Sequence, residues 1–253
     1  MRRVAPLAAV AAFLFLAVAP DAAQRGRGGA AGQRAPSARE SAPADLTGYW
    51  VSVVSEDWRF RIATPRKGDI GGVPLNAEGR KVAEAWSPAR DADTGNACRV
   101  YGAAGLMRVP GRLHVTWQDD ETLKIETDAG QQTRTVHFGR SEPPADRSWQ
   151  GHSVASWDGG TGRAAAGTRW GSLRVVTTGL RPGYLRRNGV PYSEQTVLTE
   201  YFDRHSAPDG SQWFTVTSIV GDPTYLTQEF ITSTDFKKEP DASKWNPTPC
   251  EAS

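Results

Sequence analysis

Leu113-His-Val-Thr-Trp117, Leu123-Lys-Ile-Glu126 and Arg134-Thr-Val-His-Phe138 follow one another, separated by Gln118-Asp-Asp-Glu121 and by Asp128-Ala-Gly130. In the first segment Leu113, Val115 and Trp117 alternate with His114 and Thr116. In the second, Leu123 and Ile125 alternate with Lys124 and Glu126. In the third, Arg134, Val136 and Phe138 share one face. Successive side chains of a strand point to opposite sides of its sheet, so period two marks strands with one buried face. The acidic and glycine-containing stretches between them are turn signals. Consecutive hairpins, with turns every 8–12 residues or so, argue for an antiparallel sandwich or barrel.

The same reading extends in both directions. Upstream, Gly48-Tyr-Trp-Val-Ser-Val-Val54 opens the domain as a strand, and residues 58–62 read as a second short one, ended by Thr64-Pro65 and Lys67-Gly68. Residues 76–86 read as the one helix, with Asn76 as its cap, Val82, Ala85 and Trp86 on its packed face, and Pro88 as its stop. Downstream, residues 149–158 and 172–178 pair across a Gly-rich insert. Residues 196–203 and 213–220 pair across Ala207-Pro-Asp-Gly210, and 230–237 form a last strand. A meander of this length closes most simply on itself, because closure removes exposed edges. The expected fold is mainly β: a single antiparallel β-barrel, a lipocalin-like meander of about eight to ten strands with one short helix.

The ends of the chain differ from this. Arg2 and Arg3 precede an apolar run and then small residues, so residues 1–23 read as a secretory signal peptide. The run is short for a membrane span, which needs roughly 20 apolar residues. An uncleaved anchor is the alternative. After signal removal no membrane span is expected. Residues 24–44 read as a disordered Gly/Ala/Arg/Pro-rich linker, too poor in apolar side chains to offset its ordering entropy. Residues 45–253 are then the barrel domain, secreted or periplasmic. A net charge of +2 gives no electrostatic reason to expect a nucleic acid partner. The chain has two cysteines, and in an oxidising compartment Cys98 and Cys250 are expected to pair.

Several stretches resemble an uncharacterised family of secreted bacterial β-rich proteins. They are Gly48-Tyr-Trp50, Pro74-Leu-Asn-Ala-Glu-Gly-Arg80, the region around Cys98, Trp149-Gln-Gly-His-Ser-Val154, Leu173-Arg-Val-Val-Thr-Thr178, Tyr192-Ser-Glu194 with Thr199-Glu-Tyr-Phe202, Asp222-Pro223 through Phe230, and Cys250-Glu251. The resemblance implies homology over nearly all of the domain but names no function. The chain departs from it in two places. Residues 159–171 stand where the family has a tight Asp-Gly turn, and Tyr192 stands where a histidine is common. The opening Gly48-x-Trp50 is also similar to the start of lipocalins, whose tryptophan packs across the barrel bottom.

The familiar catalytic signatures are missing: no phosphate loop, no Gly-x-Ser-x-Gly, no His-Glu-x-x-His and no Cys-x-x-Cys. Of the four histidines, His114, His137 and His152 fall on expected strands and His205 lies apart; no spacing among them specifies a metal site, so no metal or cofactor is expected. His152 shares its strand face with Val154, and Trp149 and Trp157 take the other face. Histidine is the side chain whose unperturbed pKa lies nearest neutrality, so an inward His152 is the candidate single acid or base. Glu194 and Glu200 lie in or before a strand with apolar neighbours, and an inward Arg134 needs an anionic partner.

Two functions follow from this, with a filled structural barrel as the third reading. The first is a barrel that binds a small, largely apolar or aromatic ligand, lined by Trp117, Trp149, Trp157, Tyr192 and Arg134. The alternative is a cofactor-independent isomerase, lyase or hydrolase using His152 with Glu194 or Glu200.

Overall fold

Nine strands close into a barrel in the computed structural model of this chain, whose described residues are 34–159 and 171–252. The barrel belongs to the compact unit Pro36–Ser253. Its strands are β1 (Gly48–Val53), β2 (Arg112–Trp117), β3 (Thr122–Thr127), β4 (Thr133–Phe138), β5 (His152–Asp158), β6 (Ser172–Thr178), β9 (Val197–Ser206), β10 (Gln212–Gly221) and β11 (Phe230–Glu239). Between β6 and β9 a separate hairpin is formed by β7 (Gly183–Arg186) and β8 (Val190–Tyr192). Around the barrel the order is β1-β11-β10-β9-β6-β5-β4-β3-β2. The expected signal peptide, the first part of the expected linker and most of the Gly-rich insert lie outside the described residues.

The barrel is mixed rather than purely antiparallel. β4 and β5 run parallel, with Val136 beside Ser153 and Phe138 beside Ala155. The cause is the connection. Residues 139–151, with Pro143-Pro144 in the middle, carry the chain back to the end where β4 began, and a parallel pair needs a crossover of about a dozen residues. The other pairs of the barrel are antiparallel.

More helix is present than the sequence pattern suggests, and most of it lies between β1 and β2. Residues 58–62, read above as a strand, hold α2 (Trp58–Arg61). Asp57 enters the left-handed region at φ 49° and turns the chain into it. One turn of helix sends Trp58 and Ile62 outward together and tucks Arg61 in. α3 (Ala77–Glu84) is capped as expected, Asn76 Oδ1 accepting the Gly79 amide at 2.9 Å. Its buried side is Gly79 and Ala83 rather than Val82, Ala85 and Trp86. Pro88 starts a helix as well as ending one: it opens α4 (Pro88–Asp93), where its missing N–H costs nothing. A 3₁₀ turn (Ala97–Tyr101) and α5 (Ala103–Leu106) complete the insertion.

Part of the expected linker is also ordered. Ser37 and Glu40 form a capping box on α1 (Ala38–Ser41). The Arg39 amide donates to the Asp120 carbonyl at 3.0 Å, and the Ala38 carbonyl accepts Trp157 Nε1 at 2.8 Å. These bonds to the barrel order a segment that has little apolar surface of its own to bury.

The barrel interior is packed with side chains. Trp50, Leu123, Ile125, Val136, Val175, Phe214, Val216 and Phe236 are all fully buried in one cluster. Trp50 lies 4.6 Å from Phe214, centroid to centroid, and its Nε1 donates to the Leu46 carbonyl at 2.9 Å. A second cluster, including Leu75, Ala83, Leu180, Val190, Tyr192, Leu198, Val220 and Phe230, joins the insertion and the β7–β8 hairpin to the barrel. Cys98 and Cys250 form the expected disulfide, their Cα atoms 5.0 Å apart across 152 residues of sequence.

Candidate functional site

The structure separates the residues that sequence reading grouped together. On β5 the inward side chains are Ser153, Ala155 and Trp157, as their core neighbours show. His152 therefore lies on the outer face of the wall. It is still only 8% exposed, because the 139–151 crossover lies over it. Its Nε2 is 3.2 Å from the Ser141 carbonyl, and its ring stacks on His137 at 5.7 Å. The expectation that His152 points inward is thus corrected by one step of phase. Inside, small residues are required opposite a guanidinium. Arg134 Nη2 donates to Thr177 Oγ1 at 3.1 Å and lies 3.5 Å from Ser153 Oγ.

Arg134 and Glu200 meet as an ion pair inside the barrel. They are 1% and 0% exposed, with Nη2 to Oε2 at 2.7 Å and Nη1 to Oε1 at 3.3 Å. The fork-to-fork geometry and the two hydroxyls satisfy most of the charge. Glu194 is elsewhere: its side chain is 57% exposed in the turn before β9, 3.5 Å from Arg147. His152, Glu194 and Glu200 are not brought together, so they make no acid–base pair in this arrangement.

The expected ligand-lining aromatics also diverge. Trp117 and Trp157 pack with Phe138 inside one end of the barrel. Trp149 precedes β5 and carries the Arg181 guanidinium 4.2 Å above its ring. Tyr192 is fully buried in the second cluster, where burial raises its hydroxyl pKa.

A cleft that the sequence reading missed lies at the end of the barrel where β1 leaves and β2 and β11 begin. Phe60, Val100, Gly105, Arg108, Val109, Leu185, Arg186 and Arg187 line it, and it has room for one water-sized group, about 10 Å³. Three elements bring the lining together. α2 supplies Phe60. Arg108 follows α5. Arg186 ends β7, and Arg187 follows it. Gly105 permits the approach of α5 to β7: a Cβ there would stand 2.5 Å from the Tyr184 carbonyl oxygen. β7 is also anchored by Tyr184, whose hydroxyl donates to Asp91 Oδ2 at 2.8 Å. Burial and that carboxylate push the phenol up to about 12.

The guanidiniums are compensated unequally. Arg61, fully buried beside the cleft, is paired with Glu56 and also donates to Ser52 Oγ at 3.0 Å and to the Arg108 carbonyl at 3.1 Å. Arg108, 6% exposed, reaches Asp57 Oδ2 at 2.9 Å, but its buried Nη1 has no partner among the described residues. Arg186, 4% exposed, donates to the Gly71 carbonyl at 2.7 Å and lies between two rings, 3.8 Å from the centre of Phe60 and 5.9 Å from that of Phe230. Its buried Nε is also without a partner. Burial first, then the neighbouring Arg108, brings the Arg186 pKa down to about 10. Cation–π contact returns roughly 0.5–2 kcal/mol per ring, less than the several kcal/mol that removing an ion from water costs. Guanidiniums stay protonated near neutrality, so the cleft is suited to hold an anion rather than to move a proton.

Together the described residues define a closed, mixed nine-stranded barrel with an arginine-lined cleft at one end. No family model matches the chain, and no curated protein or solved structure matches it either. Among the described residues no helix is long and apolar enough to cross a membrane.

Proposed function

We propose that this chain is an exported binding protein of the secreted β-rich family it resembles, and that it holds a small acid with an apolar or aromatic body. The acid sits on Arg108, Arg186 and Arg187; only its head enters the cleft of about 10 Å³, and the body stays outside at the rim. One observation carries this reading: two guanidiniums, each more than nine-tenths buried, line a cleft with an unpartnered nitrogen apiece. Buried polar groups are nearly always paired, so unpaired donors on residues that line a cleft favour an acceptor from outside. The enzyme alternative has no such support, since His152 and Glu200 stand on opposite faces of the barrel wall. The ligand site expected inside the barrel moves, on this reading, to its mouth.

Calorimetric titration of the full chain with benzoate and with its neutral isostere benzamide tests the reading. Benzoate should bind with a Kd of about 0.1–1 mM, equivalent to about −4 to −5.5 kcal/mol. Benzamide should not bind, and Arg186→Gln should abolish benzoate binding. Equal binding of both compounds, or unchanged benzoate binding to the variant, would refute it.

A further inference from the structure

We infer that the acidic group this cleft takes best is a dianionic oxyanion, that of a phosphomonoester, in preference to a carboxylate; the inference rests on the reading above that the cleft binds an acid. Charge pairing around the cleft is the basis. Three guanidiniums line it, and a single carboxylate, Asp57, contacts one of them, Arg108. Arg186 and Arg187 are met by uncharged groups instead, the carbonyls of Gly71 and Arg61, both at 2.7 Å. The other acids nearby are already engaged: Glu56 by Arg61, and Asp69 by Arg59 at 2.5 Å. Asp57 and Asp69 act on Arg186 only from a distance, so the cluster keeps two more positive charges than negative ones, and a phosphomonoester near neutral pH carries close to two negative charges.

Shape agrees with charge. The enclosed space admits one water-sized group, which is the size of a single phosphoryl oxygen. That oxygen can take the open donors of Arg108 and Arg186, while the remaining oxygens stay at the rim with Arg187. A tetrahedral group presents oxygens in three dimensions to guanidiniums arriving from α5 and from β7. A planar carboxylate has two oxygens in one plane and one charge.

The test compares phenyl phosphate with benzoate on the full chain by calorimetry. At about pH 7.5 phenyl phosphate should bind at least tenfold tighter. A phosphoryl group with a second pKa near 6 is almost wholly dianionic there and only about one-tenth dianionic at about pH 5, so its affinity should fall about tenfold between the two. Benzoate, with an ordinary carboxyl pKa near 4, should change little over that range. Arg187→Gln removes an uncompensated charge from a half-buried position, so it should fold normally and erase the preference for phenyl phosphate. Vesicles of phosphatidylcholine carrying phosphatidate, set against phosphatidylcholine alone, distinguish a lipid-borne phosphomonoester from a soluble one. Benzoate binding as tightly as phenyl phosphate, with a flat pH response for both, would overturn the preference and leave the acid-binding reading intact. Binding of neither acid would remove both.

Discussion

Replacing Glu200 by glutamine would leave Arg134 charged, fully buried and without its counter-charge. In the native barrel the pair is bidentate, 2.7 and 3.3 Å, and both side chains are within 1% of complete burial. Removing one partner of such a pair typically costs about 3–5 kcal/mol, because the desolvated survivor loses its compensation. Glutamine keeps one acceptor oxygen, and Thr177 and Ser153 still face the guanidinium, so the lower end, about 3 kcal/mol, is expected. For a domain of this size each kcal/mol moves Tm by about 2–4 °C, so Glu200→Gln should melt about 6–12 °C lower. Urea unfolding followed by tryptophan fluorescence should show the same loss as a lower midpoint with an unchanged slope. The double variant Arg134→Met with Glu200→Leu should recover most of it, since apolar replacement of a buried pair is often neutral or stabilising. A Glu200→Gln protein that melts within about 2 °C of the parent would refute the reasoning. It would mean that water reaches Arg134 and that the barrel is not filled.

Removing the Cys98–Cys250 bridge by a double serine substitution should cost up to about 5 kcal/mol in the chain-entropy model, given its 152-residue span, and differential scanning calorimetry measures it. His152→Ala should cost about 1–2 kcal/mol through the lost Ser141 contact and His137 stacking, speed tryptic cleavage at Arg140 and Arg147, and leave acid binding unchanged. Acid binding should be lost as pH rises through about 10, where folded Arg186 releases its proton. Between that value and the ordinary arginine range the unfolded chain binds the extra proton, so this group makes stability rise with pH while binding falls; titrations from pH 8 to about 11 read both.

Where one side of a strand is apolar and the other is not, the strand could be read from sequence: Leu113, Val115, Leu123, Ile125 and Val136 all face the core. The phase of β5 was not legible in this way. Its inward residues Ser153 and Ala155 are small because Arg134 and Thr177 occupy the space in front of them, and Val154, its most apolar aliphatic residue, faces out. A rule that treats apolar side chains as buried therefore inverts the strand. The pairing of Arg134 with Glu200 was half legible. Each lies on an apolar strand face that fixes its direction, while their meeting depends on β6 standing between β5 and β9. α2 was lost because Trp58, Phe60 and Ile62 alternate like a strand. The helix puts two of them in solvent, which no local pattern announces. The parallel β4–β5 pairing left only the length of the 139–151 connection as a sign.

Arg134 and Arg186 are both almost wholly buried, and the contrast between them supports the proposed site. The barrel interior provides Arg134 with a carboxylate and two hydroxyls; its Nε lacks a partner among the described residues, but its charge is met directly. At the mouth, Arg186 has a carbonyl and two aromatic faces; burial first and then the neighbouring Arg108 depress its pKa, and Asp57 and Asp69 offset this only in part. A buried charge that serves the fold alone is best compensated within the fold, because the domain's net stability is only about 5–15 kcal/mol. The less compensated one makes sense where a counter-charge arrives from outside, and strongly perturbed groups in clefts mark such places more often than chance. Binding of an acid would then stabilise the chain in proportion to the logarithm of its concentration, as for any ligand that binds only the folded state. The Arg134–Glu200 pair would contribute the same stability with or without it.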